Sequence, residues 1–214
     1  MRRITLLHTG AVVIPVFAAL TAEQWPGVDV GNLLDDRIVA DLRSADRRGS
    51  VAGRVRDLAH AAAAGGAEAV VLTCSSISGL AGEVATAVGI PVLRIDEAMA
   101  DEAAAIGGRI AVIATLGTTL DPTCALLAER LERAGAHAEV ERILVDGAFA
   151  AVAAGDRAEH DRLVGQAVGQ AASRSNVVVL AQASMVSAAT GTYPVPVLSS
   201  PAAGVARVRA VLGL

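Results

Sequence analysis

One cysteine in this sequence stands where a thiol can do chemistry. The apolar run at residues 70–72 ends at Thr73, and Cys74, Ser75 and Ser76 follow it before the chain turns helical. A thiol at or just before the N-terminus of a helix has a lowered pKa, which favours the reactive thiolate. A cysteine at the end of a buried strand also serves as a small apolar side chain. The polar cluster that Cys74 begins favours the catalytic interpretation.

A second stretch repeats this pattern without the thiol. The apolar run at residues 177–180 is followed by Ala181, Gln182, Ala183 and Ser184. Val-Leu at residues 71–72 recurs at 179–180, which gives an offset of 179 − 71 = 108, and Arg-Ile at 3–4 recurs at 109–110. A period of half the chain predicts two copies of one structural unit. At the offset of 108, Gln182 stands where the copy of Cys74 is expected.

Short apolar runs alternate with helical patterns in both halves, which is typical of parallel sheets covered on both faces. We predict an α/β fold of two pseudo-symmetric flavodoxin-like lobes, each with a mainly parallel four-stranded sheet covered by helices. Lobe 1 is predicted to span residues 1–97 plus 200–214, and lobe 2 residues 98–199. Since ligands bind outside the carboxyl ends of such strands, we expect the active site in the cleft between the lobes. The predicted strands are residues 4–8, 28–33, 69–73, 91–95, 110–115, 138–144, 177–180 and 195–198. The predicted helices are residues 15–24, 51–64, 78–88, 122–134, 158–174 and 202–212, with one short helix after residue 180.

Hydroxyl side chains gather at the predicted strand ends, next to helix starts. Helix N-termini offer unpaired N–H donors, and short hydroxyls add further donors, so together they favour binding of a carboxylate. Ordinary N-capping by Ser and Thr is the alternative for any one of them. The predicted substrate-binding residues are Thr9, Ser75, Ser76, Thr115, Thr118, Thr119 and Ser184. His8 lies at the end of the first strand and is interpreted as a base, as a residue that orients the substrate, or as a loop cap.

Composition excludes several functional classes. The chain has 214 residues, of which 53% are hydrophobic and 19% charged, with a net charge of −4, so a substantial core is expected. Aromatic residues make up 2%, which disfavours base stacking, and no basic run is long enough for nucleic acid. No segment reaches the length of a membrane span, and neither the cysteines nor the histidines have the spacing of a metal site. We therefore expect no nucleic-acid partner, no membrane partner and no bound metal.

The location of the protein is predicted from its cysteines and its first residues. Two cysteines without a paired spacing suit a reducing compartment, which favours the cytoplasm. Residues 1–22 imitate an export signal, with a basic start and an apolar middle. His8 and Pro15 interrupt the apolar part, and the stretch around residues 2–10 recurs at 108–117. We therefore interpret this segment as a strand and a turn.

The repeat and three short motifs resemble the aspartate/glutamate racemase superfamily, which includes amino-acid and hydantoin racemases, maleate isomerase and arylmalonate decarboxylase. The motifs are LTCSS at residues 72–76, ATLGTTLDPT at 114–123 and LAQASM at 180–185. The resemblance implies an enzyme without cofactors that acts on a small carboxylate, and a homodimer or larger homo-oligomer. It also implies one cysteine from each lobe, of which one removes a proton from the substrate and the other delivers one.

Cys74 falls at the first of these two cysteines, and Gln182 falls at the second. An amide cannot accept and return a proton at neutral pH, although it forms hydrogen bonds. Our hypothesis is that Cys74 is the sole acid/base or nucleophile, and that Gln182 binds the substrate or its developing oxyanion.

Three functions fit these residues. The first is a racemase, isomerase or decarboxylase that uses a single cysteine. The second is a non-catalytic protein that binds a small carboxylate on the same fold, as the loss of the second thiol suggests. The third is a cysteine hydrolase, which needs a histidine beside Cys74 and an acid that orients it. It ranks last because His8 alone is available.

Overall fold

The computed structural model describes residues 2–214. The chain folds into two compact units. The first unit comprises the residues up to Asp96 together with Pro201–Leu214, and the second comprises Glu97–Ser200.

Eight strands and ten helices are found among residues 2–214. The strands are β1 (Arg3–His8), β2 (Asp29–Leu34), β3 (Ala69–Leu72), β4 (Val92–Arg94), β5 (Gly108–Ala114), β6 (Ala138–Leu144), β7 (Val177–Leu180) and β8 (Val197–Ser199). The helices are α1 (Ile14–Gln24), α2 (Ile38–Leu42), α3 (Val51–Ala64), α4 (Ser75–Ser78), α5 (Ala81–Val88), α6 (Glu97–Ile106), α7 (Gly117–Ala134), α8 (Ala148–Ala153), α9 (Arg157–Ala172) and α10 (Ser200–Leu212). Three short 3₁₀ helices lie at Ala11–Val13, Arg48–Ser50 and Ala183–Ala188.

The two sheets have the same topology. The strand order is β2-β1-β3-β4 in the first sheet and β6-β5-β7-β8 in the second, and every neighbouring pair is parallel. This confirms the predicted pair of parallel four-stranded sheets. In the register, Leu7 is opposite Leu72 and Ile113 is opposite Leu180. Because parallel strands end at the same edge, the residues that follow β1 and β3 are neighbours, as are those that follow β5 and β7.

The core lies around the two central strands of each sheet. All four residues of β3 and all four of β7 are buried, since helices cover both faces. The outer strands β2 and β6 show mixed burial because one of their edges is unpaired. The continuous apolar runs that predicted the strands therefore mark the central positions of the sheets.

Several helices differ from the prediction. The helix predicted at residues 78–88 is two helices, α4 and α5, and no helix was predicted at α2, α6 or α8. Helix α6 was missed because alanines are three of its four buried residues, beside Met99, and give little hydrophobic periodicity. Helix α7 begins at Gly117 rather than at residue 122, so Pro122 lies inside it. There the proline removes the N–H that would pair with Thr118 O.

The C-terminal helix α10 packs in the first unit, where it adjoins the end of β4. Trp25 Nε1 donates a hydrogen bond to Val205 O (3.0 Å). A Cβ atom at Gly204 would lie 2.1 Å from Ile95 O, so only glycine allows this close approach. Separately, no helix within residues 2–214 has the length and apolar character needed to cross a bilayer.

Candidate active site

Cys74 lies at the carboxyl edge of the first sheet, two residues after β3. It is the N-cap of α4, with an extended backbone (φ −124°, ψ 123°), and it is partly exposed. Its carbonyl oxygen accepts a hydrogen bond from Ile77 N (3.1 Å). Thr73 and Ser75 on either side are buried. Helix α4 is a single turn, so its dipole is weaker than that of the longer helix expected after Cys74.

Gln182 occupies the equivalent position in the second unit, two residues after β7. It is the N-cap of the 3₁₀ helix Ala183–Ala188, with nearly the same backbone conformation (φ −130°, ψ 134°). Its carbonyl oxygen accepts a hydrogen bond from Met185 N (3.0 Å), which matches the bond at Cys74. The backbone thus supports the correspondence of residues 74 and 182 that the repeat indicated.

The Gln182 side chain folds back onto Thr115, which follows β5. Thr115 N and Thr115 Oγ1 both donate to Gln182 Oε1, at 2.7 and 3.0 Å. A backbone N–H can only donate, so the amide oxygen must face Thr115. The Gln182 Nε2 group is left as the donor end of the amide. Because Thr115 fixes the orientation of the amide, the Nε2 group is a prearranged donor of the kind that binds a carboxylate or an oxyanion.

His8 ends β1 and is fully buried. Its Nε2 lies 2.9 Å from Asn32 Oδ1, and its Nδ1 lies 2.8 Å from Thr73 Oγ1. These contacts fit a neutral ring that donates from Nε2 and accepts at Nδ1 from the Thr73 hydroxyl, for whose single hydrogen Leu7 O (2.9 Å) is the competing acceptor. Burial, opposed by the hydrogen bond to Asn32, lowers the pKa of His8 from its ordinary value of 6.5, which agrees with the neutral form. With both nitrogens engaged, the ring can orient the strand end but has no free base.

Asn32 is a partner that the sequence analysis missed. It lies in the outer strand β2, whose Leu34 is opposite His8 in the register. Asparagine is depleted in strands, so its presence there was a signal that the side chain has a specific partner. The link to His8 spans 24 positions of sequence and depends on the pairing of β1 with β2.

The N-terminus of α7 lies at the carboxyl edge of the second sheet. Its N-cap, Leu116, provides no side-chain hydrogen bond. Thr119 is buried, and Thr118 Oγ1 is enclosed without a hydrogen-bond partner among residues 2–214. Enclosed polar atoms normally have partners, so this hydroxyl needs an explanation. The start of an 18-residue helix, together with this hydroxyl, has the chemistry that favours an anion.

The structure places every predicted site residue at or just beyond a strand end. Thr9 and Ser75 are buried, whereas Ser76 and Ser184 are partly exposed. In the first unit, His8, Thr9, Cys74, Ser75 and Ser76 lie at or after the ends of the paired strands β1 and β3. In the second unit, Thr115, Thr118, Thr119, Gln182 and Ser184 follow the paired strands β5 and β7.

The other cysteine lies away from both edges. Cys124 is in the middle of α7, where it packs against the apolar core of the second unit. Burial raises the pKa of its thiol, with Arg142 lowering it and Asp121 raising it. Cys124 is therefore a poor nucleophile. Within residues 2–214, no group of three or more His, Cys, Asp or Glu side chains is arranged to hold a metal ion.

Comparisons with known proteins place this geometry in a family. Residues 6–208 match the family model described as Asp/Glu/Hydantoin racemase. The fold is similar to that of allantoin racemase from Klebsiella pneumoniae, at 20% identity and a TM-score of 0.70, over 100% of this chain and 89% of that one. It is also similar to glutamate racemase from Francisella tularensis in complex with D-glutamate, at 15% identity and a TM-score of 0.79, over 99% and 81%.

A third similar structure is a glycine-to-cysteine mutant of arylmalonate decarboxylase in its sulfate-associated form. It has 22% identity and a TM-score of 0.60, over 99% of this chain and 93% of that one. No curated protein sequence matches the chain significantly. Sequence identities of 15–22% to these structures show similarity of fold alone. The family is shown by the family model, which matches residues 6–208 and so covers most of the chain. The chain belongs to the Asp/Glu/Hydantoin racemase family.

Proposed function

We propose that this family member is a cofactor-independent enzyme that acts on a small carboxylate, with Cys74 as its acid/base or nucleophile. The observation that carries the proposal is the position of Cys74. It is a partly exposed residue on extended backbone at a strand end, beside Thr73 and Ser75. Its counterpart Gln182 has the same backbone and no thiol.

The second unit carries hydrogen-bond donors suited to negative charge. Gln182 Nε2 is the donor end of an amide whose oxygen Thr115 holds. Thr118 Oγ1 is an enclosed hydroxyl without a partner in the described chain, at the start of α7. Such prearranged donors stabilise an enolate-like charge as it forms, and this contribution is often the largest in catalysis. We assign to them the binding of the carboxylate and of the developing oxyanion.

A single thiol limits the reaction type. In a decarboxylation, the bond from the α-carbon to the departing carboxylate breaks and its electron pair remains as an enediolate. The Cys74 thiol then delivers its proton to the α-carbon, and the thiolate regains a proton from water. In a double-bond isomerisation, the Cys74 thiolate adds to one carbon, the central bond rotates, and the thiolate leaves. The names of the structural neighbours include both racemases and a decarboxylase.

His8 is assigned an orienting role in this proposal. Both of its ring nitrogens are engaged, one of them with Thr73, the residue before Cys74. A cysteine hydrolase would need a histidine free to take the proton of the thiol. The engagement of His8 argues against that function.

A carboxylate-binding protein without turnover is the second candidate. The observation in its favour is Gln182, because an amide retains ligand contacts while it loses proton transfer.

Solvent exchange and thiol reactivity separate the two functions. Aspartate, glutamate, hydantoins and arylmalonates are incubated in D₂O and followed by NMR for exchange, inversion and loss of CO₂. In parallel, iodoacetamide labelling of Cys74 is measured against pH by site-resolved mass spectrometry, with Cys124 as internal control. Turnover together with a labelling midpoint below about 8.5, the value of a free cysteine, supports the enzyme. Carboxylate binding with an inert Cys74 supports the binding protein. Full inversion with exchange in the unmodified chain would contradict the role given to Gln182.

We also propose a cytoplasmic location and a homodimer or larger homo-oligomer. Both cysteines are free, which suits a reducing compartment. Sedimentation equilibrium of the purified chain tests the assembly, and a monomer at all concentrations would contradict it.

A further inference from the structure

A serine hydroxyl holds each of the two segments that follow the candidate strand ends. In the first unit, Ser78 Oγ lies 2.9 Å from Asp96 Oδ2 and 3.2 Å from the backbone oxygen of Ser75. In the second unit, Ser187 Oγ lies 3.0 and 3.1 Å from the two carboxylate oxygens of Asp161. Both serines therefore tie a segment to a carboxylate on another element.

An arginine completes each contact. Arg94 Nη2 donates to Ser78 Oγ (3.3 Å), and Arg157 Nη2 donates to Ser187 Oγ (2.7 Å). Arg157 Nη2 also donates to the backbone oxygen of Ser184 (2.8 Å), within the same 3₁₀ helix. Each hydroxyl thus accepts from a guanidinium and donates to a carboxylate. We call these two arrangements the Ser78 clamp and the Ser187 clamp.

The two clamps are built from residues that do not correspond in the repeat. Asp96 and Arg94 lie at the end of β4, whereas Asp161 and Arg157 lie on α9. The counterpart of β4 is β8, and β8 ends with Ser199. A serine–carboxylate contact therefore restrains both segments, although different elements supply the carboxylate. Because the repeat does not account for this recurrence, it indicates that both segments need a side-chain contact to hold them.

That requirement follows from how little structure the segments have of their own. Cys74 begins a four-residue helix, and Gln182 begins a 3₁₀ helix, whose hydrogen-bond geometry is poorer than that of an α-helix. Elements this short are marginal without tertiary contacts. Groups that act on a substrate need neighbours that lock their geometry.

We propose that Asp96 and Asp161 are positioning residues, which fix through Ser78 and Ser187 the segments that begin with Cys74 and Gln182. The inference rests on the proposed function for its catalytic consequence. Its structural part can be measured independently of turnover. Ser78 and Asp96 are fully buried, whereas Ser187 is exposed, so the Ser187 clamp can be altered without opening the core.

The Ser187 clamp is tested with Ser187→Ala, Ser187→Thr and a control, Ser173→Ala, whose hydroxyl donates to Gln170 O at an exposed site. Ser187→Ala removes both the hydrogen bond accepted from Arg157 and the one donated to Asp161, and is expected to speed amide hydrogen exchange at residues 183–188 by about fivefold or more. It is also expected to raise KM more than it lowers kcat. Ser187→Thr keeps the hydroxyl and is expected to restore both readouts. Ser173→Ala should change neither.

The Ser78 clamp is tested through the thiol that it positions. In Ser78→Ala, the iodoacetamide rate of Cys74 is expected to rise by about fivefold or more, because the hydrogen bonds of the Ser78 hydroxyl to Asp96 and Arg94 no longer hold its segment. The rate of Cys124 in the same sample should stay unchanged, whereas general destabilisation would raise both rates. Asp96→Asn repeats the test from the other side of the contact.

The outcomes distinguish this inference from the proposed function. If the unmodified chain shows no turnover, the proposed function fails. Amide hydrogen exchange and iodoacetamide labelling still test whether the clamps fix the two segments. If turnover is found but Ser187→Ala behaves like Ser173→Ala, or Ser78→Ala changes both cysteines equally, the positioning role is overturned while the function stands.

Discussion

The two strand ends at Cys74 and Gln182 have the same backbone and different chemistry. Both residues are extended N-caps two positions beyond a buried central strand, and both carbonyl oxygens accept from the residue three positions later. Around Cys74 the supporting side chains are His8 and Thr73, whereas the register places Ala114 and Ala181 at the equivalent positions. The two halves of the repeat therefore share the backbone positions of these residues and differ in the side chains at those positions.

In the proposed enzyme, this difference assigns to two different groups the tasks that a pair of thiols would share. The first unit keeps a side chain that can transfer a proton. The second keeps donors, with the Gln182 amide oriented by Thr115 and an enclosed hydroxyl at Thr118. The division of chemistry between the two strand ends can be tested by substitutions and by the pH dependence of stability.

Removal of the thiol should have the largest effect. Cys74→Ala is expected to lower turnover by about a hundredfold to ten-thousandfold, the range for loss of general acid–base catalysis. Carboxylate binding, measured by calorimetry, should be retained because the donors lie in the second unit. Cys124→Ala is the matched control and should retain turnover. Equal losses in both variants would show that Cys74 is no more than a packing residue.

A second thiol at residue 182 tests whether this strand end can also transfer protons. Gln182→Cys is expected to introduce α-proton exchange with inversion, since both strand ends would then carry a group that transfers protons. NMR in D₂O measures both products. The variant loses the contacts of Gln182 with Thr115, so Gln182→Ser serves as the control that loses the amide without gaining a thiol. Identical exchange in the two variants would refute the correspondence of residues 74 and 182.

A charge at the donor end should repel the ligand. Gln182→Glu keeps an oxygen for the Thr115 donors and places a second carboxylate oxygen where Nε2 was. The dissociation constant of a carboxylate ligand is expected to rise about tenfold or more, as for the loss of a hydrogen bond to a charged group. Gln170→Glu adds the same charge at an exposed site on α9 and should change binding little.

The enclosed hydroxyl of Thr118 predicts opposite effects on stability and binding. Thr118→Val removes a polar atom that has no partner within residues 2–214, so the free energy of unfolding should stay the same or rise. Carboxylate affinity should fall about fivefold, as for loss of one hydrogen bond. Thr123→Val, one turn later on α7, removes a hydroxyl that donates to Thr119 O (2.9 Å). It should lose stability and keep affinity, and the reverse pattern would remove Thr118 from the anion receptor.

The smallest effect concerns the pH dependence of stability. The lowered pKa of His8 means that the unfolded chain takes up a proton at a higher pH than the folded chain. Stability should therefore fall as the pH drops through 6.5, where the unfolded state begins to hold the extra proton. Urea unfolding between about pH 5 and pH 8 measures this slope, and His8→Asn should flatten it.

The carboxylates titrate in a separate range. Arginine hydrogen bonds lower the pKa values of Asp41, Glu141 and Glu159 below ordinary values of 3.8, 4.5 and 4.5. Their contributions to stability are present above those values and are lost only at lower pH. They therefore do not add to the slope of stability measured between about pH 5 and pH 8. An unchanged slope in His8→Asn would contradict the assignment to His8.

The strands, their parallel packing and the positions of the candidate groups could all be predicted from the amino-acid sequence. Residues 69–72 and 177–180 are apolar without alternation because helices cover both faces of a parallel sheet, and that burial is visible in composition. The repeat then predicted that residues 74 and 182 correspond. Pattern and spacing were sufficient here because the relevant contacts are local or recur along the chain.

The tertiary structure alone decided what these groups touch. The contacts of His8 with Asn32, of Gln182 with Thr115 and of Ser187 with Asp161 join residues 24, 67 and 26 positions apart. Such contacts depend on strand register and helix packing, which set distances to a fraction of an ångström. Hydrophobic patterning specifies which face is buried but not which polar atoms meet. The buried state of His8 and the orientation of the Gln182 amide therefore emerged only when the elements were packed.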